Sequence, residues 1–267
     1  MPEGDTIRRT ADALRPRLAG KQVTRAAPEK FQRLVGSTVT DVSPNGKHLL
    51  IHFDNGLVLH SHMRMTGSWH LYRPGEPWRR PAHLAKVVLE NEDTVAVLFN
   101  APIAELQREK VLEHDLAHLG PDILAAELDL DEVLKRARKA ERQALGELLL
   151  DQRVAAGIGN IYKCESLWRL KLDPWMQASA LDDKALGKVY LTARTLMMGA
   201  LKKRPPIAVH GKAGRSCPRC WGRIACRYQG DPPRFTYYCP KCQQAHVVHR
   251  PEASPRPGTP WCDRRNP

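Results

Sequence analysis

The sequence predicts an α+β multi-domain protein, and three observations lead to that class. Between Val23 and Phe99, apolar and polar residues alternate in short runs that are rich in β-forming residues. After Asn100 the apolar residues follow helical spacing, which continues to about Lys203. Close to the end of the chain, two Cys-x-x-Cys pairs are separated by eighteen residues. The chain is therefore expected to form a β-rich domain, a helical domain and a small metal-binding module.

The first predicted element is a helix that leads into the β-rich domain. Its apolar residues recur at helical spacing, at Ile7, Ala11, Leu14 and Leu18. Asp5 or Thr6 is expected to cap its start, because short polar side chains accept hydrogen bonds from the first free N–H groups. Gly20 is expected to end it.

Six β-strands are predicted after this helix. They cover residues 38–42, 48–53, 57–63, 68–72, 84–90 and 94–99. The sequences Asp54-Asn55-Gly56 and Asn91-Glu92-Asp93 lie between consecutive runs and have the composition of hairpin turns. Strands at this spacing predict a β-sandwich or a barrel.

Five helices are predicted in the next part of the chain, at residues 106–116, 131–140, 142–150, 160–170 and 182–203. The fourth begins at the sequence Gly157-Ile158-Gly159-Asn160. Glycines at a helix start let backbone N–H groups approach an anion closely, and the Asn160 side chain is a further donor. The alternative is an ordinary glycine-containing turn between two helices.

The cysteine pairs Cys217-Pro-Arg-Cys220 and Cys239-Pro-Lys-Cys242 predict a zinc ribbon. Four thiolates can surround one Zn²⁺ tetrahedrally, and a closed shell of four sulfurs is typical of a structural site. Two redox dithiols are the alternative, but a thioredoxin-type motif expects a single pair beside a strand–helix unit. We therefore expect one structural Zn²⁺ per chain.

The residues between the two cysteine pairs predict a nucleic-acid partner. Arginines alternate there with aromatic residues, at Trp221, Arg223, Arg227, Tyr228, Arg234, Phe235, Tyr237 and Tyr238. Basic and aromatic side chains on a rigid hairpin suit phosphates and bases. The formal net charge of +13 and the sequence pI of about 9.6 indicate a polyanionic partner for the whole chain.

The rest of the composition predicts a cytoplasmic protein without a membrane segment. No run of eighteen or more apolar residues and no charged-then-apolar leader is found. Cysteines concentrated in two short pairs fit a reducing compartment. The Pro/Arg-rich residues 251–267 are expected to be a disordered tail.

Five landmarks occur in one order along the chain. They are Pro2-Glu3-Gly4, Asn45-Gly46-Lys47, Gly120-Pro121-Asp122, the segment from Leu150-Asp151-Gln152 to Gly157-Ile158-Gly159-Asn160, and the segment from Arg234 to Tyr238-Cys239-Pro240-Lys241-Cys242-Gln243. Through them the chain resembles the formamidopyrimidine-DNA glycosylase/endonuclease VIII family of DNA repair enzymes. The resemblance implies a catalytic β-sandwich domain (1–118), a helix–two-turn–helix domain (119–208) and a zinc ribbon (209–250). It also implies a monomer that binds damaged DNA.

The resemblance assigns catalytic roles to four residues of a bifunctional DNA glycosylase and abasic-site lyase. Pro2, exposed by removal of Met1, would attack C1′ as a secondary amine, since an α-amino group has a reference pKa of about 7.7. Glu3 is similar to the general acid. Lys47 would contact phosphate and assist β-elimination, and Arg234 would bind the phosphates around the lesion and assist δ-elimination. Without the family pattern, each is an ordinary terminal or surface residue.

The same resemblance predicts four DNA-binding residues. Asn160 matches the asparagine that clamps the DNA backbone. Met65 lies where the family places the residue that fills the space left by a flipped base, with Arg64 beside it. The alternative for Met65 is a core residue on a strand. His118 falls where relatives have a DNA-contacting arginine.

The choice of family branch depends on a missing loop. Formamidopyrimidine enzymes carry an Asp-x-Arg-Arg-Phe-Gly loop, and residues 99–105 lack both its arginine and its phenylalanine. The missing loop favours the endonuclease VIII branch, and hence oxidised pyrimidines as substrates. Met65, in contrast, resembles the residue found at this place in the formamidopyrimidine branch. The alternatives are an oxidised-purine glycosylase of the formamidopyrimidine type, a non-catalytic zinc-ribbon DNA-binding protein, and an RNA-binding or ribosomal factor.

Overall fold

A computed structural model describes residues 2–203 and 205–244, which form two compact units. The first unit contains residues 2–129, 152–158 and 197–203. The second unit contains residues 130–151, 159–196 and 205–244. The predicted tail at 251–267 lies outside the described residues.

The first unit begins with helix α1 (Gly4–Leu18), which is followed by the strands of the β-rich domain. Their bounds are β1 (Arg25–Ala27), β2 (Val39–Asn45), β3 (His48–Phe53), β4 (Leu57–His62), β5 (Ser68–Tyr72), β6 (Ala85–Glu90), β7 (Val95–Phe99) and β8 (Ile103–Arg108). Helix α2 (Glu109–Leu116) comes next, and short 3₁₀ helices lie at Glu29–Leu34 and Ala82–Leu84.

These strands form two antiparallel sheets of four strands each, in the orders β1-β6-β7-β5 and β2-β3-β4-β8. One hydrophobic core combines α1 with side chains of both sheets, including Ile7, Leu14, Ile51, Leu59 and Leu98. The two sheets therefore pack face to face, and the domain is a β-sandwich rather than a barrel. The two predicted hairpin turns join β3 to β4 and β6 to β7, as expected.

Three details of the predicted elements are wrong. The strands do not stop at Asn100, because Ile103–Arg108 pairs with β4 along its whole length, and the helix predicted from 106 begins only at Glu109. The short strand β1 was also missed. The N-cap of α1 is Glu3 rather than Asp5 or Thr6, and it makes no side-chain capping hydrogen bond.

The second unit is built from helices and one hairpin. Its helices are α3 (Leu130–Lys139), α4 (Leu145–Leu148), α5 (Asn160–Leu170) and α6 (Asp183–Lys202), of which the last turns from Met197 belong to the first unit. A 3₁₀ helix lies at Ala178–Ala180. Strands β9 (Ala225–Gln229) and β10 (Arg234–Tyr238) pair antiparallel and form the predicted hairpin between the cysteine pairs.

The cysteine-bearing module is fixed to helix α5 and the turn after it by buried polar groups. The Glu165 carboxylate is almost fully buried and accepts hydrogen bonds from the backbone N–H groups of Ala208, Val209 and His210, at 2.8–2.9 Å. The Gln243 side chain accepts from the Cys239 N–H and donates to the Leu172 carbonyl, both at 2.9 Å. These bonds give the cysteine pairs a rigid support, since buried polar groups are stable only when they are paired.

Among the residues that the structure describes, no helix is long and apolar enough to cross a membrane.

Candidate active site

The start of the chain is anchored to the glycine segment that precedes α5. The Gly4 N–H donates a 2.9 Å hydrogen bond to the Gly157 carbonyl. A Cβ atom on Gly4 would lie 2.9 Å from Met197 Cε and 3.1 Å from Gly157 Cα, so no larger residue fits without movement. The backbone of residues 2–4 is thus held at a defined place.

The turn that carries Lys47 contacts the same segment. Gly46 has a positive φ of 59°, and a Cβ atom there would lie 2.7 Å from Ala156 Cβ. The Gly46 N–H donates to the Asp122 carboxylate at 3.1 Å, and the same carboxylate accepts from the Leu124 N–H at 2.9 Å. Glycine is required here by both conformation and space.

The segment 152–158 is closed by one side chain. Gln152 accepts from the Gly157 N–H at 3.0 Å and donates to the Ile158 carbonyl at 3.1 Å. The Gly120 N–H donates to the Gln152 carbonyl, and a Cβ atom on Gly120 would lie 2.3 Å from the Val154 carbonyl oxygen. Four of the five sequence landmarks therefore meet around Gly157, within the first unit.

Pro2, Glu3 and Lys47 flank this meeting point. Glu3 is only 1% exposed, and its backbone carbonyl accepts hydrogen bonds from Thr6 and Ile7 in the first turn of α1. A carboxylate at a helix start is favoured by the helix dipole. Pro2 and Lys47 are both partly exposed. Pro2, Glu3 and Lys47 are thus carried by backbone segments that share one support.

Three histidines line the sheet beside Lys47, and sequence reasoning missed them. His48 Nδ1 and His60 Nε2 lie 2.8 Å apart and share a hydrogen bond, while the His48 and His62 rings meet edge to face with centroids 4.9 Å apart. The sequence could have indicated this cluster, because His48 begins the predicted strand β3 while His60 and His62 share one face of the next strand, β4. The Arg64 N–H donates to His62 Nδ1 at 3.0 Å. The proton of a neutral His62 is therefore on Nε2.

These imidazoles are neutral at pH 7. Burial lowers the pKa of His48 to about 3, and repulsion by His62, His60, His118 and Lys47 adds to the effect. Burial likewise lowers the pKa of His62 to about 4, with Arg64 and Lys47 contributing. Burial also lowers the pKa of His60, against the attraction of Glu105 and Asp115. The cluster can therefore accept and donate hydrogen bonds beside Lys47 without adding positive charge.

Met65 lies in the loop between β4 and β5 and is 64% exposed. Its neighbour Met63 is the core residue, at 2% exposure, so the alternative that Met65 fills the core on a strand is wrong. Arg64 is exposed and adopts a positive φ of 43°. The Thr66 hydroxyl donates to the Asn100 carbonyl at 3.0 Å, which ties this loop to the short turn between β7 and β8. The loop presents an unbranched apolar side chain to solvent.

His118 follows α2 and is exposed. Its Nδ1–H donates to the Asp115 carbonyl at 2.7 Å, which leaves Nε2 as an acceptor in the neutral ring. Repulsion by His118 contributes to the lowered pKa of His48, so His118 lies near the histidine cluster. A role in DNA contact stays a prediction.

In the second unit, Asn160 holds the strand that carries Arg234. Its side-chain amide donates to the Phe235 carbonyl at 2.8 Å and lies 3.3 Å from His210 Nε2. Burial, together with the Lys163 ammonium, lowers the pKa of His210 to about 4, so this ring is neutral and able to accept. The Asn160 amide thus has partners within the protein, whereas Arg234 is exposed at the start of β10.

A buried lysine next to this contact was also missed. Lys163 is fully buried, and its ammonium donates to the Thr236 hydroxyl at 2.6 Å. Thr236 donates in turn to Gln229 at 2.8 Å, and Gln229 donates to the Pro174 carbonyl at 2.8 Å. Nothing in the sequence around Lys163 indicates that its side chain is buried, because lysine on a helix is usually exposed. The chain of bonds fixes the register of the hairpin against α5.

The four cysteines of the paired motifs lie together. Their Sγ atoms are all within 4.8 Å of one another, and they could hold a metal ion. The Trp168 indole N–H donates to Cys217 Sγ at 3.3 Å, and the Arg219 guanidinium lies 4.1 Å from the Trp168 ring centroid while donating to the Trp168 carbonyl. Contacts of this kind orient the ligands of a structural metal site.

Comparisons with known proteins agree with this fold and site. The formamidopyrimidine-DNA glycosylase N-terminal domain model matches residues 1–102, and the formamidopyrimidine-DNA glycosylase H2TH domain model matches residues 119–208. A Streptomyces coelicolor protein named probable endonuclease 8 2 is 38% identical, with 97% of each chain covered. The chain therefore belongs to the formamidopyrimidine-DNA glycosylase/endonuclease 8 family.

Further relatives specify the branch. A Mycolicibacterium smegmatis protein named DNA-(apurinic or apyrimidinic site) lyase Nei2 is 33% identical over 92% of this chain and all of its own. Endonuclease 8 of an Enterobacter species is 33% identical over 91% of this chain and all of its own. These names confirm the predicted resemblance to the endonuclease 8 branch.

The fold comparison gives the same architecture. Lactococcus lactis formamidopyrimidine DNA glycosylase, solved in non-covalent complex with DNA containing an abasic site, is similar with a TM-score of 0.79. The similarity covers 91% of this chain and 99% of that chain, at 23% identity. The predicted combination of β-sandwich, helix–two-turn–helix domain and cysteine-bearing ribbon is confirmed.

Proposed function

We propose that the protein is a bifunctional DNA glycosylase and abasic-site lyase of base excision repair, which removes oxidised pyrimidines and cleaves the strand by β,δ-elimination. The observation that carries this proposal is the meeting of Pro2-Glu3-Gly4 and Asn45-Gly46-Lys47 around Gly157. Its relatives are named endonuclease 8 and DNA-(apurinic or apyrimidinic site) lyase. Damaged DNA is the proposed partner, and the protein is proposed to act as a monomer.

The proposed nucleophile is the secondary amine of Pro2. Its nitrogen forms a bond to C1′ of the damaged nucleoside while the bond from C1′ to the base breaks, and the departing base takes a proton. Loss of the amine proton and opening of the sugar give an iminium cation. This cation accepts electrons, so that removal of a C2′ proton can break the C3′–oxygen bond, and a second elimination releases the C5′ phosphate.

Glu3 is the proposed general acid. Its burial at the start of α1 keeps its carboxyl group one residue from the nucleophile and away from bulk water. In the protonated form it can donate to the sugar ring oxygen as the ring opens. The two eliminations need proton acceptors and donors as well, and Glu3 is placed to exchange protons there.

Lys47, Asn160 and Arg234 are the proposed contacts to phosphate. Lys47 is next to a cluster of neutral histidines, so a phosphate there meets a lysine that does not share the site with imidazolium charges. Asn160 is proposed to act on the DNA backbone together with the strand it holds. Arg234 is proposed to neutralise the phosphate that leaves in the δ-elimination.

The proposed preference for pyrimidines rests on the turn between β7 and β8. Only Asn100, Ala101 and Pro102 connect these strands, so the arginine and phenylalanine of the formamidopyrimidine loop have no equivalent. The exposed Met65 is proposed to face the DNA and fill the space left by the flipped base, and Arg64 and His118 are proposed as further DNA contacts.

A cleavage panel tests the activity and its preference. Duplexes that contain thymine glycol, dihydrouracil, 8-oxoguanine, formamidopyrimidine or an abasic site are incubated with the wild-type protein, with undamaged duplex as the control. We expect the two oxidised pyrimidines to be excised at least about tenfold faster than 8-oxoguanine, and the strand ends to carry phosphate on both sides of the gap. Faster excision of 8-oxoguanine would favour the formamidopyrimidine type, and binding without cleavage would favour a DNA-binding module.

The metal proposed for the ribbon is zinc. Cys217, Cys220, Cys239 and Cys242 would hold one ion, which supplies structural cross-linking and no chemistry. With the ion bound, the hairpin would keep Arg234 in place.

Substitution of one ligand tests the zinc site. Cys239→Ser is expected to reduce bound zinc, measured by elemental analysis, from about one ion per chain to about zero. The dissociation constant for abasic-site duplex is expected to rise about tenfold or more, because the hairpin loses its cross-link. Cys164→Ala, which changes a buried cysteine outside the group of four, is the control and should retain zinc. Full zinc in Cys239→Ser would contradict the assignment.

A further inference from the structure

The hairpin β9–β10 presents two stacked aromatic rings to solvent. Tyr228 and Phe235 are direct cross-strand partners, with ring centroids 4.3 Å apart and planes inclined by 26°. Their exposed fractions are 62% and 37%. Exposed apolar surface is unfavourable in water, so a contiguous patch of this kind indicates a binding surface.

The two rings are not required to hold the hairpin in place. Side chains alternate between the two faces of a strand, and Thr236 and Gln229, on the other face, are the buried residues that bond towards α5. The apolar cluster around the cysteines uses Trp168, Ile224 and Tyr237. Tyr228 and Phe235 thus stack on each other on the face opposite Thr236 and Gln229, and Tyr228 is the more exposed of the two.

The module that carries the rings is strongly basic. Residues 205–244 contain one acidic residue, Asp231, against seven basic ones: Lys212, Arg215, Arg219, Arg223, Arg227, Arg234 and Lys241. Alternation along the strands places Arg227 and Arg234 on the face opposite the two rings, so the charge belongs to the module as a whole. A partner that reaches the rings is therefore expected to be anionic and to offer flat apolar faces. Nucleic acid meets both conditions, whereas an acidic peptide offers few planar rings.

Only unpaired nucleotides can use the rings. In a duplex the faces of the bases are covered by their neighbours, and a protein contacts the phosphates, the sugars and the base edges in the grooves. In a single strand each base has a free face, and stacking on aromatic side chains contributes about 1–3 kcal/mol per base. Exposed aromatic rings are therefore expected to favour single-stranded over duplex DNA.

We propose that the Tyr228–Phe235 pair stacks an unpaired nucleobase, so that the ribbon is a binding site for single-stranded DNA. The site would allow the protein to act on lesions in single-stranded or bubble DNA. The proposal deepens the proposed function, because it names a second form of DNA substrate. Its test uses lesion-free DNA and does not depend on catalysis.

Fluorescence anisotropy of labelled oligonucleotides tests the site, with the full-length zinc-loaded protein. The same sequence is used as a single strand and as a duplex, both without lesions. Tyr228→Ala is expected to weaken single-strand binding about tenfold, the equivalent of about 1.4 kcal/mol, and to change duplex binding less than about threefold. Tyr228→Phe keeps the ring and should stay within about twofold of wild type. Leu191→Ala, which changes an exposed apolar residue of α6, is the matched control.

A direct stacking signal separates recognition from folding. A 2-aminopurine base in the single strand is expected to change its fluorescence on binding to wild type and Tyr228→Phe, but not to Tyr228→Ala. Equal weakening for single strand and duplex, or single-strand binding unchanged in Tyr228→Ala, would overturn the proposal; the second result would leave a protein partner for these rings. Borohydride trapping of the same variants on abasic-site duplex reports on the proposed function separately, so either proposal can fail alone.

Discussion

Blocking the nitrogen of Pro2 is expected to abolish covalent capture of DNA. When a Gly-Ser extension precedes Pro2, its nitrogen becomes an amide without a free electron pair, and it can no longer attack C1′. Reduction with borohydride in the presence of abasic-site duplex should then give no protein–DNA adduct, and strand cleavage should fall by about 10³-fold or more. The wild type should give an adduct whose DNA remnant maps to Pro2 by mass spectrometry.

Two controls make this result specific. The same extension placed after Pro267 tests for effects of added residues, and it should leave trapping unchanged. Lys47→Ala tests the other amine beside the site, and this variant should still be trapped through Pro2 even if its cleavage is slow. An adduct that maps to Lys47, or an adduct from the N-terminally extended protein, would refute Pro2 as the nucleophile.

The second large effect is expected for Glu3→Gln. The substitution keeps the size of the buried side chain and removes its acid function. Excision of thymine glycol should fall by about 10²–10⁴-fold, the usual contribution of a general acid. Cleavage of a preformed abasic site should fall less than about tenfold, because no base has to be removed there. Single-turnover rates on the two substrates measure the difference.

Asp5→Asn is the matched control for Glu3→Gln. Asp5 is a buried carboxylate in the first turn of the same helix, and it pairs with Arg9 at 3.1 Å. Its removal should lower stability by about 0.3–1 kcal/mol through the helix dipole, with excision close to wild type. If both variants lose excision equally, the loss comes from helix charge. If Glu3→Gln affects the two substrates equally, Glu3 is not the acid of base removal.

The spacing of apolar residues was enough to predict most of the helices and strands, since it shows which face of each element is buried. Residues 160–170 were predicted with the observed bounds, and both hairpin turns lie where their Asn, Asp and Gly residues indicate. Strand β8 was assigned partly to a helix because its last residues run directly into helix α2, and only pairing with β4 decides where the strand ends. Glu3 was not expected as the N-cap, because its side chain makes no capping bond.

The candidate site was predicted as separate motifs, but their contacts were not. Nothing in the sequence indicates that Gly4, Gly46 and Gly120 all pack on the segment 152–158, since these contacts join residues that are far apart along the chain. The cysteine group was predictable because its spacing is itself the geometric requirement. The burial of Lys163 and the bond from Asn160 to the Phe235 carbonyl depend on where the hairpin docks, which local propensity does not determine. The roles of the individual residues stay predictions.

The backbone around Gly157 sets the positions of both Gly4 and Gly46. The Gly4 backbone is held by a hydrogen bond to the Gly157 carbonyl. The turn that carries Lys47 is held by the close approach of Gly46 to Ala156. Sequence changes elsewhere in the sandwich are therefore expected to leave the separation of the Pro2 and Lys47 backbones unchanged. A bulky residue at position 156 or 157 would displace both of these segments at once. One substitution outside Pro2 and Lys47 is therefore expected to move both residues.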